Sequence, residues 1–327
     1  MLQYNNIRHF CLLPEGAIAL DATSCQPCGF ISHAHSDHTG KHELTYCTAE
    51  TESICRYRMK CKPTQQFRVM EYFKPVTLGG LELTAYPAGH CLGSAMLFAK
   101  SLASGKTLLY TGDFKLGKSV TAAEAVVPKA DVLVMESTYG SPDYQLPPRE
   151  QVIAELLETV RDAFANDRSP VIAAYAFGKS QEITKILTDN GFKVQQYDTI
   201  YKISQFYEQH NVSLGDVTTL KKGECADEDR VLIVPPASHP YYITHHKIET
   251  IMLTGWAMHE STKYRYEVDK ILPLSDHADY NELLKTIELC EPNVVYPVHG
   301  SPDFVEHLQD KGINVMHIDR ATQSMLF

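Results

Sequence analysis

The sequence predicts an α/β protein in which a domain of short strands is interrupted by a second domain with a parallel sheet. Three observations carry this. Apolar strand-like segments end repeatedly in a His or Asp, strands alternate with helices only in the middle of the chain, and further chemistry-bearing residues return near the C-terminus. The 327 residues, 44 % of them hydrophobic, suffice for one large core or two joined ones.

Residues 1–144 are broken by Gly, Asp and Pro turns, and the clearest early helix covers Ala49 to Met59. Gly29-Phe30-Ile31 ends a strand, and Ser32 to Gly40 follows it with His33, His35, Asp37 and His38, four possible metal ligands within six residues. Taken singly, each histidine is equally well a polar loop residue. Side by side, imidazoles without compensation carry desolvation and repulsion costs that a metal removes. Imidazole and carboxylate suit zinc and its first-row neighbours. His33 and His35 point one way from an extended backbone while Asp37 and His38 face elsewhere, which suggests two adjacent ions.

The same pattern recurs downstream. His90 follows the alternating run Leu81 to Tyr86, Asp113 follows Leu108-Leu109-Tyr110-Thr111-Gly112, and His299 follows Val294 to Val298. Asp131 to Glu136 is a fourth apolar strand ending in a carboxylate. Strand ends thereby deliver His90, Asp113 and His299 to the rim that holds the first cluster. Two ions need more ligands than the four of the first cluster, and these residues are the candidates.

After Pro147-Pro148 the style changes to a helical pattern through Val152, Leu156, Leu157, Val160 and Phe164. It continues with strand Val171 to Ala174, helix Ser180 to Leu187, and strands Val231 to Val234 and Ile251 to Thr254. Alternation of this kind implies a parallel sheet with crossover connections. The expected organisation is a discontinuous first domain, 1–144 and 263–327, with an inserted domain at 145–262. The first fold resumes near Tyr264 to Val268, and its tail carries His277 and His299.

These motifs resemble the metallo-β-lactamase superfamily and, within it, the β-CASP nucleases. Asp21 is similar to the first motif aspartate, His33 to His38 to the H-x-H-x-D-H signature, and His90 and Asp113 to the third and fourth motifs. Glu136 in Glu136-Ser137-Thr138-Tyr139-Gly140, His277 in Ser275-Asp276-His277-Ala278-Asp279, and His299 resemble motifs A, B and C. The resemblance implies an αββα metallo-β-lactamase fold with an inserted α/β domain. It gives His33, His35 and His90 to one zinc, Asp37, His38 and His299 to the other, and Asp113 to both, with Mn²⁺ as an in vitro substitute. Asp21 would orient a ligand histidine or a water, or else be a turn residue. Glu136 would hold His277 as the acid for the departing 3′-oxygen if the inserted domain closes over the site.

The resemblance further implies a nuclease acting on the end of single-stranded RNA or DNA, as a monomer or homodimer, with helicase or ligase partners. A histidine at motif C leans towards RNA processing, and a ligase-associated DNA repair exonuclease is the alternative. Small-molecule hydrolysis and a catalytically inactive binding protein are further readings. The first is disfavoured by Glu136, His277 and the large insertion, the second by the presence of every expected ligand.

Secondary candidates keep two readings each. In Phe177-Gly178-Lys179-Ser180-Gln181-Glu182, Lys179 and Ser180 either bind a substrate phosphate at a helix N-terminus or cap the helix; the glycine spacing of a P-loop is absent. Ser275 is a further phosphate candidate and Tyr139 a base-stacking one. Pro240 to His246, with two tyrosines and two histidines, is a second ligand site or a solvated segment. Trp256 packs at a domain seam.

The nine cysteines are scattered and odd in number, so no disulfide framework is expected. Cys25-Gln26-Pro27-Cys28 lacks a partner C-x-x-C for a four-thiolate zinc site. A net charge of −10 argues against a broad basic face and strong nonspecific duplex binding. Two divalent ions would add about +4 where a scissile phosphate sits. No membrane-length apolar run appears, and a cytosolic location is expected.

Overall fold

The computed structural model describes residues 2–4, 10–12, 18–236, 247–258, 262, 267–300 and 303–316. The Tyr- and His-rich stretch 240–246 and residues 264–266 lie outside them. Two compact units divide the chain: Met1–Lys118, Ala122–Ser141 and Tyr280–Phe327 form one, Ser119–Thr121 and Pro142–Asp279 the other.

The first unit opens with a six-stranded sheet in sequence order: β1 (Leu2–Tyr4), β2 (Phe10–Leu12), β3 (Ile18–Leu20), β4 (Cys28–Phe30), β5 (Leu44–Cys47) and β6 (Gln66–Val69). β1 to β3 pair antiparallel, and β3 to β6 run parallel. Helix α1 (Ala49–Arg58) connects β5 to β6 and buries Thr51, Ile54 and Cys55. The second sheet begins as an antiparallel meander of β7 (Val76–Leu78), β8 (Leu81–Pro87), β9 (Ala95–Ser101) and β10 (Thr107–Tyr110). β11 (Val132–Glu136) then joins β10 in parallel.

Alternation decides which side chains face inwards. Leu81, Leu83 and Ala85 of β8 and Ala95, Leu97 and Ala99 of β9 point into one core with Ile18, Leu20, Phe30 and Tyr46 from the first sheet. The two sheets therefore share a single apolar interior.

The second unit contains α2 (Arg149–Ala165), β12 (Arg168–Ala173), α3 (Lys179–Asp189), β13 (Val194–Tyr197), α4 (Asp198–Gln209), β14 (Val217–Leu220), β15 (Val231–Val234), β16 (Lys247–Leu253) and β17 (Lys270–Leu272). All its strand pairs are parallel, in the order β14-β13-β15-β12-β16-β17. A parallel sheet needs cover on both faces, and the residues supply it. Ile172, Ile233 and Ile251 pack with α2 and α3 through Val152, Leu156, Val160 and Ile183, while Val171, Leu232 and Met252 form a core on the other face.

The chain then returns through α5 (Tyr280–Cys290), β18 (Val294–Val298) and α6 (Asp303–Asp310). β18 completes the second sheet in parallel with β11. Residues 267–279 cluster with the second unit, whereas the sequence assigned 263 onward to the first. The reason is β17, which pairs with β16 and buries Leu272 and Leu274 in the second core.

Leu156 of α2 is fully buried in that core. Leu156→Ala should cost about 2–5 kcal/mol, measured by urea unfolding followed by circular dichroism.

Candidate metal centre

β4 delivers its loop to the rim of the sandwich, and the loop is fixed before any ion is considered. Asp21, just beyond β3, donates its N–H to Phe30 O at 2.9 Å and holds φ at 46°. Its carboxylate accepts four hydrogen bonds: from Ser32 N (2.7 Å), Ser32 Oγ (2.6 Å), His38 Nδ1 (2.8 Å) and Tyr110 Oη (2.8 Å). The bond to His38 Nδ1 leaves Nε2 as that ring's outward ligand atom.

His90 sits in a turn after β8. Ser94 Oγ accepts from the N–H groups of His90 and Cys91, both at 3.2 Å. Thr48, the N-cap of α1, and Thr51 in its first turn donate to Gly93 O at 2.7 and 2.9 Å and pin the same turn to the helix. Asp113 follows β10 through Gly112, where φ is 55° and an added Cβ would lie 2.5 Å from Ser32 Cβ.

These supports bring the ligand atoms together. His33 Nε2 lies 2.9 Å and His90 Nε2 lies 3.1 Å from His35 Nδ1. Asp113 Oδ2 is 3.5 Å from His33 Nε2, 4.0 Å from His90 Nε2 and 3.3 Å from His38 Nε2. His33, His35, His90 and Asp113 each offer a ligand atom within 4.8 Å of the others, and so do Asp21, His33 and His38. Nitrogens about 3.3 Å apart are what tetrahedral zinc requires at ~2.0–2.1 Å per bond. The set fits a dinuclear site with Asp113 on its shared edge.

Asp37 and His299 lie at the margin. The Asp37 side chain is 78 % exposed, with Oδ2 3.8 Å from His38 Nε2. His299, exposed after β18 with φ at 57°, has its ring centroid 5.6 Å from that of His38.

The electrostatics favour a cation. Burial pushes the His33 pKa well below its ordinary value, and the neighbouring His38 and His35 push it further. Burial would do the same to His38, but Asp113 and Asp21 prevail and hold it well above. The two carboxylates thus favour positive charge at His38, Asp113 from the Nε2 side and Asp21 from the Nδ1 side.

Glu136, buried at the end of β11, accepts from Phe114 N (2.9 Å) and from the Thr138 hydroxyl (2.6 Å), so it braces the Asp113 loop. His277 belongs to the second unit, where its N–H donates to Ser275 Oγ at 2.9 Å and the Ser275 hydroxyl donates to His277 O at 3.0 Å. Beside it Asp276 pairs with Lys179 at 2.9 Å.

The residues expected to contact substrate are buried. Lys179 is 3 % and Ser180 0 % exposed, Ser180 Oγ donates to Tyr175 O at 2.6 Å, and Gln181 Oε1 accepts from Gly178 N at 2.9 Å. The N-terminus of α3 is thus capped from within rather than open to phosphate. Ser275 is committed to its own turn, and Tyr139 at 2 % exposure offers no ring face to a base. Trp256 packs edge-on against Tyr144 at 5.1 Å within the second unit. Cys25 and Cys28 are free thiols, and burial pushes Cys28 up to about 11.

Sequence reasoning missed Ser32, Tyr110, Ser94 and the Thr48–Thr51 pair. Tyr110 looked like one more apolar strand residue. Its signal was position: it stands at the end of β10, three residues before Asp113.

A family model described as a Zn-dependent metallo-hydrolase RNA specificity domain matches residues 262–318. A probable DNA ligase from Opitutus terrae is 34 % identical over 96 % of this chain and 31 % of its own length. An RNase J-like protein from Methanocaldococcus jannaschii is 31 % identical over 49 % of this chain and 42 % of its own, and the 5′ exonuclease Apollo of Gallus gallus is 26 % identical over 88 % and 63 %. The chain is similar to these nucleases and to the ligase, and its metal-ligand motifs resemble those of the β-CASP group of the metallo-β-lactamase superfamily. The chain spans about a third of the ligase and under two thirds of the other two relatives. A solved protein of unknown function from Enterococcus faecalis shares the fold, with a TM-score of 0.67 at 14 % identity over 99 % of this chain and 98 % of that one. No helix among the described residues is long and apolar enough to cross a membrane.

Replacing Asp21 with Asn removes charge and acceptor capacity from the His38 contact. Affinity for one of two ions should fall about 10–100-fold, read by competition with a chromogenic chelator. Tyr110→Phe should lower it less, since three of the four donors remain. Gly112→Ala meets both the positive φ and the Ser32 contact, and should reduce metal content measured by elemental mass spectrometry.

Proposed function

We propose that this chain is a dinuclear-metal phosphodiesterase that removes nucleotides from an end of single-stranded nucleic acid, with DNA as the first substrate class. The observation that carries the reading is the convergence of His33, His38 and His90 on one oxygen of Asp113. His33, His35 and His90 would hold one ion, Asp37, His38 and His299 the other, and Asp113 would serve both. Zinc suits this donor set, with manganese as a substitute in vitro. When bound, two divalent ions supply Lewis acidity to the scissile phosphate and lower the pKa of an attacking water.

The chain's own groups do the rest. Asp21 keeps the Nδ1 proton of His38 in place and its Nε2 available. Glu136, fixed by Phe114 N and Thr138, holds the Asp113 loop in register. His277 is the proposed proton donor to the departing 3′-oxygen, and Glu136 the proposed carboxylate that favours its charged form.

DNA stands first because DNA-repair and ligase proteins predominate among the relatives, including three described as DNA cross-link repair proteins. This reverses the lean towards RNA drawn from His299. RNA remains the second reading, supported by the description of the matched domain and by the RNase J-like and endoribonuclease relatives. A ligase or helicase is the proposed partner class.

Metal-loaded protein incubated with matched single-stranded DNA and RNA, labelled separately at each end, tests the reading. Released mononucleotide from DNA, faster than from RNA, is the expected result; intact substrate of both kinds would overturn it. His277→Ala should slow cleavage about 10²–10⁴-fold at unchanged metal content, and an unchanged rate would remove His277 from the mechanism.

A further inference from the structure

Between Ser53 and Met70 the chain carries Arg56, Arg58, Lys60, Lys62 and Arg68 and no acidic residue, within a protein of net charge −10. No other stretch of that length combines five cations with no acid. The tract runs from the last turn of α1 along the connection to β6, an edge strand whose Gln66, Arg68 and Val69 are exposed. Exposed Lys41 joins it: the Gln65 side chain donates to His42 O, and Lys41 and Arg56 are the charges that oppose the upward push of burial on the Cys61 thiol.

Aromatic rings are interleaved with the charges. The Arg56 guanidinium lies 4.4 Å over the Phe67 ring, and Tyr57, between Arg56 and Arg58, is 45 % exposed. Ordinary structural roles account for part of the tract. Arg56 and Arg58 suit a helix C-terminus, Arg56 also pairs with Glu52 at 2.8 Å, and a charged Arg68 blunts a sheet edge. None of these roles requires the exposed Lys41, Lys60 and Lys62. Cations interleaved with exposed aromatic surface are the pattern by which a single-stranded polyanion is held without sequence preference.

We propose that this tract is a second contact for the sugar-phosphate backbone of a single-stranded nucleic acid whose end lies at the metal centre. The inference rests on the nuclease reading and deepens it, because it says where the uncleaved part of the substrate goes. The His33–His38 loop leaves the C-terminal end of β4, whereas Lys41, Lys60 and Lys62 precede β5 and β6, which run parallel to it. A four-residue strand spans about 13 Å. The tract therefore takes nucleotides well removed from the scissile bond, and short substrates do not reach it.

The test is a variant carrying Lys41→Gln, Lys60→Asn and Lys62→Gln; asparagine is chosen because Lys60 has φ at 52°. Affinity of metal-loaded protein for a phosphorothioate DNA of about 20 nucleotides is followed by anisotropy against salt, beside turnover of a four-nucleotide substrate and of bis(p-nitrophenyl) phosphate. Removing three cations should flatten the log–log salt slope by about 2 and weaken the long DNA at least ~10-fold at low salt. Turnover of both short substrates should stay at the wild-type value. An unchanged slope and affinity would overturn the proposal, as would an equal loss on the short substrates. If the wild type turns over neither short substrate, the nuclease reading fails by itself, and the salt slope still decides the tract.

Discussion

Asp113 Oδ2 stands 3.3 Å from His38 Nε2, 3.5 Å from His33 Nε2 and 4.0 Å from His90 Nε2, with His35 Nδ1 against two of those rings. So many ligand atoms aimed at one another under burial are costly unless a positive charge sits among them. The residues around them prevent the escape routes. Asp21 ties His38 from behind, Ser94 and the N-terminus of α1 hold the His90 turn, and Ser32 closes against Gly112 so that the Asp113 loop cannot swing away.

The fold supplies this convergence by ending strands at one rim. β3, β4, β8, β10 and β18 deliver Asp21, the His33–His38 loop, His90, Asp113 and His299 in turn. The backbone is left-handed where they turn, at Gly112 (φ 55°) without cost and at Asp21 (46°) and His299 (57°) with strain. Strain of this kind persists only where the surroundings over-determine it. Here that means the four-donor carboxylate and the parallel pairing of β18 with β11.

Most of this was legible because ligand identity and strand periodicity are local properties. The runs before His90, Asp113 and Glu136 are strands, and the pattern from Val152 to Val160 is one face of α2. What escaped depends on contacts between distant segments. The sequence left Lys179 and Ser180 between phosphate binding and helix capping, because their contacts with Asp276 and Tyr175 O are remote or irregular in sequence. Tyr110 was hidden among apolar neighbours because its role is set by Asp21, 89 residues away. Residues 267–279 cluster with the second unit through β17, a three-residue strand that only its pairing with β16 reveals.

Net charge is likewise silent about position. A value of −10 described the whole surface and concealed the basic stretch from Arg56 to Arg68, because summed charge carries no position. The centre of the account is nonetheless the shared carboxylate. Anomalous diffraction at the zinc edge from zinc-loaded crystals tests it directly. The account predicts two peaks about 3.5–4 Å apart with Asp113 between them. A single peak, or two peaks with Asp113 bound to neither, would contradict it.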